Sequence, residues 1–322
     1  PALGLDALRE RIARWYGDRY GVRVGPERVA VTTGGSGALL LACAVAVEPG
    51  SEVLVPDPTY ACDRPFVLAM DGRPVPIPVD GSTGWHPTAA QIAAAWTPRT
   101  AAAMLTSPSN PTGTVIDPAA LRAVAGAVRS RGGTLIVDEV YQELVYDTAP
   151  TTALAAGDDV VVVGSFSKFW SMTGWRLGWL VGPEPFVDAV GRLAPHLYVC
   201  PPAIAQVAAL EAFGPETLAI CEGYRRRFHQ QRDYLVPALR RLGFGVAGEP
   251  SGAFHLYADC SAFTDDALAF CGALLEGAGV AMTPGCDFGD HQAALHVRVS
   301  YPKPIEVLAE GIARLERHLI RR

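Results

Sequence analysis

From Val22 to about Val181 the chain alternates short β-branched runs with amphipathic stretches, a rhythm that predicts an α/β unit whose strands run mostly parallel. Strands are expected at Val29–Thr32, Glu52–Val55, Val75–Pro78, Ala101–Thr106, Thr134–Asp138, Val160–Ser165 and Leu177–Val181, with helices in the gaps. The stretch from Asp117 to Ser130 shows the logic. Asp117 is placed to cap the first N–H groups, Pro118 fits the first turn, and Leu121, Val124 and Val128 share one face. Gly132-Gly133 follows the end. That apolar face packs on the sheet.

Beyond Gly182 the pattern predicts helices at Pro183–Ala194 and Pro202–Ala212, then a long Arg-rich helix from Glu216 to Leu242 that bridges two units. Short strands at Ala253–Tyr257, Val280–Met282 and His296–Val299, with helices at Asp265–Gly277 and Pro304–Ile320, describe a smaller α+β unit. The expected architecture is a mostly parallel seven-stranded sheet flanked by helices in residues 1–199, followed by a smaller C-terminal α+β domain with its linking helix in residues 200–322. A chain of 322 residues suits two domains, since single cores stop growing near ~250–300 residues. No repeat of fixed period is present.

Composition narrows the function classes. The longest apolar stretch, Ala38 to Val47, is far shorter than the ~20 residues of a membrane-spanning helix, and no secretory leader pattern stands at the start, so a soluble cytoplasmic protein is expected. The 7 cysteines are scattered and never spaced CxxC, which argues against a disulfide framework and a metal site. A net charge of -6 with Arg interleaved among Asp and Glu offers no basic stripe for nucleic acid. Of the 27 basic residues only two are lysines, Lys168 and Lys303, and Asn110 is the single asparagine. A coding bias explains the general depletion; the residues that survive it are candidates for function.

Lys168 closes Ser165-Phe-Ser-Lys168, directly after an apolar strand and eight residues before Arg176 in Met172-Thr-Gly-Trp-Arg-Leu-Gly178. The carboxyl edge of an α/β sheet is where ligands bind, and partial burial there lowers a lysine's pKa and makes it a nucleophile toward a carbonyl. The alternative is a solvated surface lysine. This segment resembles the lysine segment of the class I/II aminotransferases, enzymes of the aspartate aminotransferase-like pyridoxal-phosphate fold type I. The resemblance extends over nearly the whole chain, with several motifs in family order.

It implies pyridoxal 5'-phosphate (PLP) as cofactor, held by Lys168 as a Schiff base, and amino acid and 2-oxo acid as substrates of a homodimer. Thr32-Thr-Gly-Gly-Ser-Gly37 follows a strand and opens a helix, so its N–H groups can cradle a phosphate; Gly35 and Ser36 are the contacts the resemblance implies, joined by Ser165 and Arg176. A non-binding glycine turn is the alternative. Tyr60 in Asp57-Pro-Thr-Tyr60 is implied to stack on the pyridine ring, or else fills a core. Asn110 in Ser107-Pro-Ser-Asn110-Pro-Thr-Gly113 is implied to reach the ring's phenolic oxygen and the substrate, or else marks a plain turn. Asp138 in Val137-Asp138-Glu-Val-Tyr141 is implied to keep the pyridine nitrogen protonated, with Tyr141 bonding the phenolic oxygen; the alternative is a helix-capping aspartate. Arg298 in His296-Val-Arg298-Val-Ser-Tyr301 is implied to grip the substrate α-carboxylate. Glu139 and His196 read as structural, and Lys303, between prolines, as solvated.

The family offers an N-terminal arm before the stretch that matches Pro1–Arg9, and a tyrosine from that region has no counterpart from Pro1 onward. The expectation is a PLP-dependent transaminase with Lys168, Asp138 and Tyr141 as the catalytic groups. Motifs do not encode which bond at Cα breaks, so a lyase, decarboxylase, cyclising synthase or oxidase keeps the same residues. A non-catalytic aminotransferase-like module is the reading from another class.

Overall fold

A computed structural model describes residues 1–248 and 250–320. Seven strands form the large sheet: β1 (Val29–Thr32), β2 (Glu52–Asp57), β3 (Arg73–Pro78), β4 (Thr100–Thr106), β5 (Thr134–Asp138), β6 (Val161–Ser165) and β7 (Gly178–Val181). Their order is β1-β7-β6-β5-β4-β2-β3. Every pair from β6 to β3 is parallel, whereas β7 runs antiparallel to both β6 and β1. The expected mostly parallel seven-stranded sheet is present.

The inner strands are apolar without alternation because helices cover both faces. β2, β6 and β7 are buried at every position, and so is β1, which forms the edge opposite β3. β3 is the exception. Its sequence RPVPIP holds a proline at every second position, which no central strand tolerates, and it forms the sheet's edge with most residues at least partly exposed. The helix Pro118–Arg129 forms as read: the Asp117 carboxylate accepts from Ala119 and Ala120 N–H, and Leu121, Val124 and Val128 are buried on one face of the sheet. On the other face lie the helices Gly35–Ala46 and Glu184–Tyr198.

Parallel pairing puts the carboxyl ends of β2, β4, β5 and β6 on one edge. Thr106 stands opposite Asp138, and Asp138 opposite Val163. Because β7 reverses direction, its first residue, Gly178, faces Ser165 on one side and Thr32 on the other, which brings the glycine turn after β1 to the same edge. The loop leaving β6 is fixed by an aromatic knot. Phe166 is fully buried and packs 5.2 Å from Trp170, 4.9 Å from Trp179 and 5.7 Å from Phe213. The two indoles spend their N–H groups on Ala212 O and Tyr16 Oη, both at 3.0 Å.

The second sheet has the order β8-β10-β9, with β8 at His255–Asp259, β9 at Thr283–Pro284 and β10 at His296–Ser300. It alternates. Leu256, Ala258, Val297 and Val299 pack on the helices Pro215–Leu242, Ala267–Ala278 and Ile305–Leu319, while His255, Tyr257, His296 and Arg298 occupy the other face. Two expectations are corrected. The strand read at Val280–Met282 forms at Thr283–Pro284, because Gly279 caps the preceding helix in the left-handed region and Val280 N–H still bonds back to Leu274 O. The helix read at Pro202–Ala212 ends at Leu210 and tightens into a 3₁₀ turn at Glu211–Phe213. Pro215 holds Gly214 extended (φ -71°, ψ 151°) before starting the long helix. Among the described residues no single helix is long and apolar enough to cross a membrane.

Phe166→Ala should cost about 3–5 kcal/mol of stability, because the cavity lies between three rings that cannot collapse into it. Val307→Ala, at a position 54% exposed, should change stability by less than about 0.5 kcal/mol. Urea unfolding of the two variants checks both values.

Candidate active site

The edge described above encloses a cavity lined by Gly35, Ser36, Tyr60, Asn110, Asp138, Tyr141, Ser165, Lys168 and Arg176, which is every candidate from the sequence except Arg298. Arg298 enters from the second sheet and joins the group through Asn110, whose Oδ1 accepts from Arg298 Nη1 at 3.1 Å. Thr106, Ser167 and Thr173 also line the cavity and were not singled out from the sequence. For Thr106 the signal was available: it ends a predicted strand four residues before Asn110.

Lys168 follows β6 and is half-buried, with Nζ 5.4 Å from the Tyr141 ring centre and 5.8 Å from that of Phe254. Burial lowers its pKa below the ordinary lysine value; Asp138 pulls it back up, and Arg176 and Arg298 push it further down. Asp138, the last residue of β5, is only 4% exposed. Burial raises its carboxyl to about 6 against the hydrogen bond it accepts from Val140 N–H at 3.0 Å and the charge of Lys168. Tyr141 is buried, and desolvation with the nearby Asp138 charge holds its phenol well above the ordinary value.

The glycine turn and Arg176 form an anion cradle. Gly34 adopts φ +87°, and a Cβ there would stand 2.8 Å from Arg176 Nη2; a Cβ at Gly35 would stand 2.9 Å from Val140 Cγ1. Only glycine lets the backbone come this close. No side chain caps the helix Gly35–Ala46, so its first N–H groups are open to a ligand at the positive end of the helix dipole. Arg176 itself is left-handed at φ 51°, tied by Nη1 to Thr173 O at 2.8 Å. Ser165 Oγ accepts from Ser167 N–H at 3.0 Å, which leaves its proton to donate.

Arg298 is aimed by neutral groups: Asn110, Thr283 Oγ1 at 3.3 Å from Nη2, and the Phe288 ring 4.8 Å below the guanidinium carbon. Its Nε is buried without a partner. Next to it lies His255, 1% exposed, which the sequence reading missed. Burial and the Arg298 charge hold it neutral, at about 3, and Nε2 lies 3.1 Å from Ser109 O.

These groups fit PLP. The cradle takes a phosphate, Asp138 can face a ring nitrogen, and Thr106 Oγ1, buried and unpartnered beside Asp138, is a polar atom that a ligand in the cavity would satisfy. An amine of depressed basicity stands in the same cavity to meet a carbonyl.

Known proteins agree in kind. The family model described as aminotransferase class I and II matches residues 1–315. The chain is 42% identical over 316 residues to the valine–pyruvate aminotransferase of Mycobacterium tuberculosis, covering 98% of this chain and 81% of that protein. It is 34% identical over 322 residues to the aspartate/prephenate aminotransferase of Thermus thermophilus, covering 99% and 82%. Among solved structures, an aminotransferase from Mycobacterium tuberculosis superposes with a TM-score of 0.96 at 41% identity, covering 100% of this chain and 83% of that one. The Thermus thermophilus aspartate aminotransferase with maleate gives 0.94 at 33% identity, covering 99% and 83%.

The Asp138 carboxyl titrates near 3.8 when unfolded and near 6 when folded, so folding favours its protonated form. Its stabilising contribution is complete below about pH 4 and is lost as pH rises through about 6, a loss of about 3 kcal/mol. Asp138→Asn should therefore raise the unfolding midpoint of the cofactor-free protein at pH 8 and flatten its pH dependence between 4 and 6. Thermal scans across that range test this, and parallel curves for the two proteins would contradict it.

Proposed function

The chain belongs to the class I and II aminotransferases, and from that premise we propose that Lys168, Asp138 and Arg298 carry its PLP-dependent transfer of an amino group from an α-amino acid to a 2-oxo acid. The observation that carries this reading is that one of only two lysines in the chain stands half-buried in the same cavity as a buried carboxyl, on neighbouring strand ends. When bound, the cofactor supplies a carbonyl that captures amines and a conjugated ring that accepts electrons from a broken bond at Cα.

The protein's own residues do the rest. Gly35 and Ser36 at the helix start, with Ser165 and Arg176, would hold the phosphate by N–H groups, hydroxyls and a guanidinium. Tyr60 would lie against the ring, and Asn110 with Tyr141 would donate to its phenolic oxygen. Asp138, whose carboxyl burial raises and a neighbouring cation would favour in its ionised form, would keep the ring nitrogen protonated. Lys168 would hold the cofactor through its amine, and with that amine free its Nζ would take up the proton from substrate Cα and return one; its lowered pKa suits both roles. Arg298 pairs with the substrate carboxylate, which gives the partnerless Nε and the fork beside it an anion.

Residues 1–199 then form the cofactor-holding domain, and residues 200–322 the domain that brings Arg298 over it. A second copy of the chain covers an apolar stripe that is otherwise wet, with Leu197, Val199, Ile204 and Val207 exposed by 55%, 73%, 80% and 59%. Free cysteines at all seven positions, two of them exposed, suit the reducing cytoplasm.

The protein purified with PLP should be yellow, and borohydride should bleach it while fixing the cofactor to Lys168. Lys168→Ala should retain the cofactor only noncovalently, and Lys303→Ala should match wild type. Peptide mapping that placed the reduced cofactor on Lys303 would overturn the assignment.

Arg298→Ala should lose roughly 2–5 kcal/mol of preference for an amino acid over the matching amine that lacks a carboxylate, and Arg298→Lys should recover only part, since an ammonium cannot reproduce the planar fork. Rates with both donors check this. An unchanged preference would make Arg298 structural.

A further inference from the structure

Arg298 can read a carboxylate only if its fork stays aimed, and the Phe288 ring beneath it depends on a contact network outside the cavity. Phe288 is 4% exposed and lies between β9 and β10. Its N–H bonds to Gly285 O at 2.9 Å, and its carbonyl accepts from Thr59 N–H at 2.9 Å, one residue before Tyr60. The next residue is Gly289, where any side chain would overlap the Asp57 carboxylate. Asp57 ends β2 and is 3% exposed. It accepts from Asp290 N–H at 3.0 and 3.2 Å and pairs with Arg64 Nη2 at 2.8 Å. The other terminal Arg64 nitrogen, Nη1, reaches Asp290 Oδ2 at 2.7 Å.

We propose that Arg64, bridging Asp57 and Asp290, is a positioning residue for amino-acid recognition: it pins the segment 285–292 to the carboxyl end of β2 and thereby holds Phe288 against Arg298. The proposal rests on the reading of Arg298 given above. Its physical basis is the loss of a shared cation. With Arg64 present, two carboxylates share one cation. Without it the buried Asp57 carboxylate loses the guanidinium that compensates it, and the exposed Asp290 carboxylate turns to water, so the segment carrying Asp290 loses its side-chain tie to the end of β2 and is held less firmly. Phe288 moves with that segment because only one residue separates them. Tyr60 lies on the same stretch as Asp57, but the phosphate cradle at Gly34, Gly35 and Arg176 is built from other elements, so cofactor retention is spared.

The test uses the holoenzyme with Arg64→Gln and Asp290→Asn. Asp290→Asn keeps the backbone N–H bond to Asp57, and its side chain is 86% exposed, so folding is preserved. Arg64→Gln should raise KM for the amino donor about tenfold, leave kcat within about twofold, and reduce the preference for amino acid over matching amine by the same factor. Asp290→Asn should shift both in the same direction by about threefold. The absorption band of the bound cofactor should not change, and adding Arg64→Gln to Arg298→Ala should cost nothing further. Wild-type KM and preference in both variants, alongside a lost preference in Arg298→Ala, would overturn the proposal and leave Arg64 a stabilising ion pair only. Arg298→Ala retaining the preference would remove the reading of Arg298, and this proposal with it.

Discussion

Burying the Asp138 carboxyl at the end of β5 constrains almost everything near it. A carboxyl that is 4% exposed, with one backbone N–H donor, is held near 6, above the ordinary aspartate value, because burial raises it more than the Val140 N–H and the Lys168 charge lower it. The same dry environment lowers Lys168, which half-burial and two arginines push toward the neutral amine. One cause moves the acid up and the base down, so both titrate closer to neutral than either would in water. That environment exists because β4, β5 and β6 are parallel and covered by helices on both faces, with β4 and β5 ending level at Thr106 and Asp138 and β6 running two residues further.

The two arginines of the site stand apart because different sheets deliver them. Arg176 comes with β7, whose reversal brings it beside the glycine turn after β1. Arg298 comes with β10, whose alternation sends Val297 and Val299 into the second core and leaves Arg298, with Tyr257 opposite it, on the face toward the cavity. A strand buried on one face is thus enough to aim a charged side chain, and the segment before it, tied to Asp57 and Arg64, sets how firmly.

Much of this was legible in the chain because its signals are local. Strand and helix boundaries agree closely where a run is apolar and ends at a proline, glycine or capping aspartate, as at Asp117. They drift where pairing decides, as at Thr283–Pro284, since which two residues of an extended segment meet β10 depends on a partner thirteen or more positions away. The candidate residues were legible for a related reason: at Lys168, Asn110 and Asp138 a chemically distinctive side chain stands beside a strand end or turn.

By itself the sequence determined the strand–helix alternation, the glycine turn, and the residue types able to hold a phosphate, a ring and a carboxylate, because propensity, periodicity and side-chain chemistry act over a few residues. Tertiary structure alone decided that Thr106 stands unpartnered beside Asp138, that His255 is sealed and neutral next to Arg298, and that Arg64 joins Asp57 to Asp290 across 233 positions of chain. Desolvation and ion pairing depend on which distant segments come into contact, and no local pattern of residues carries that information.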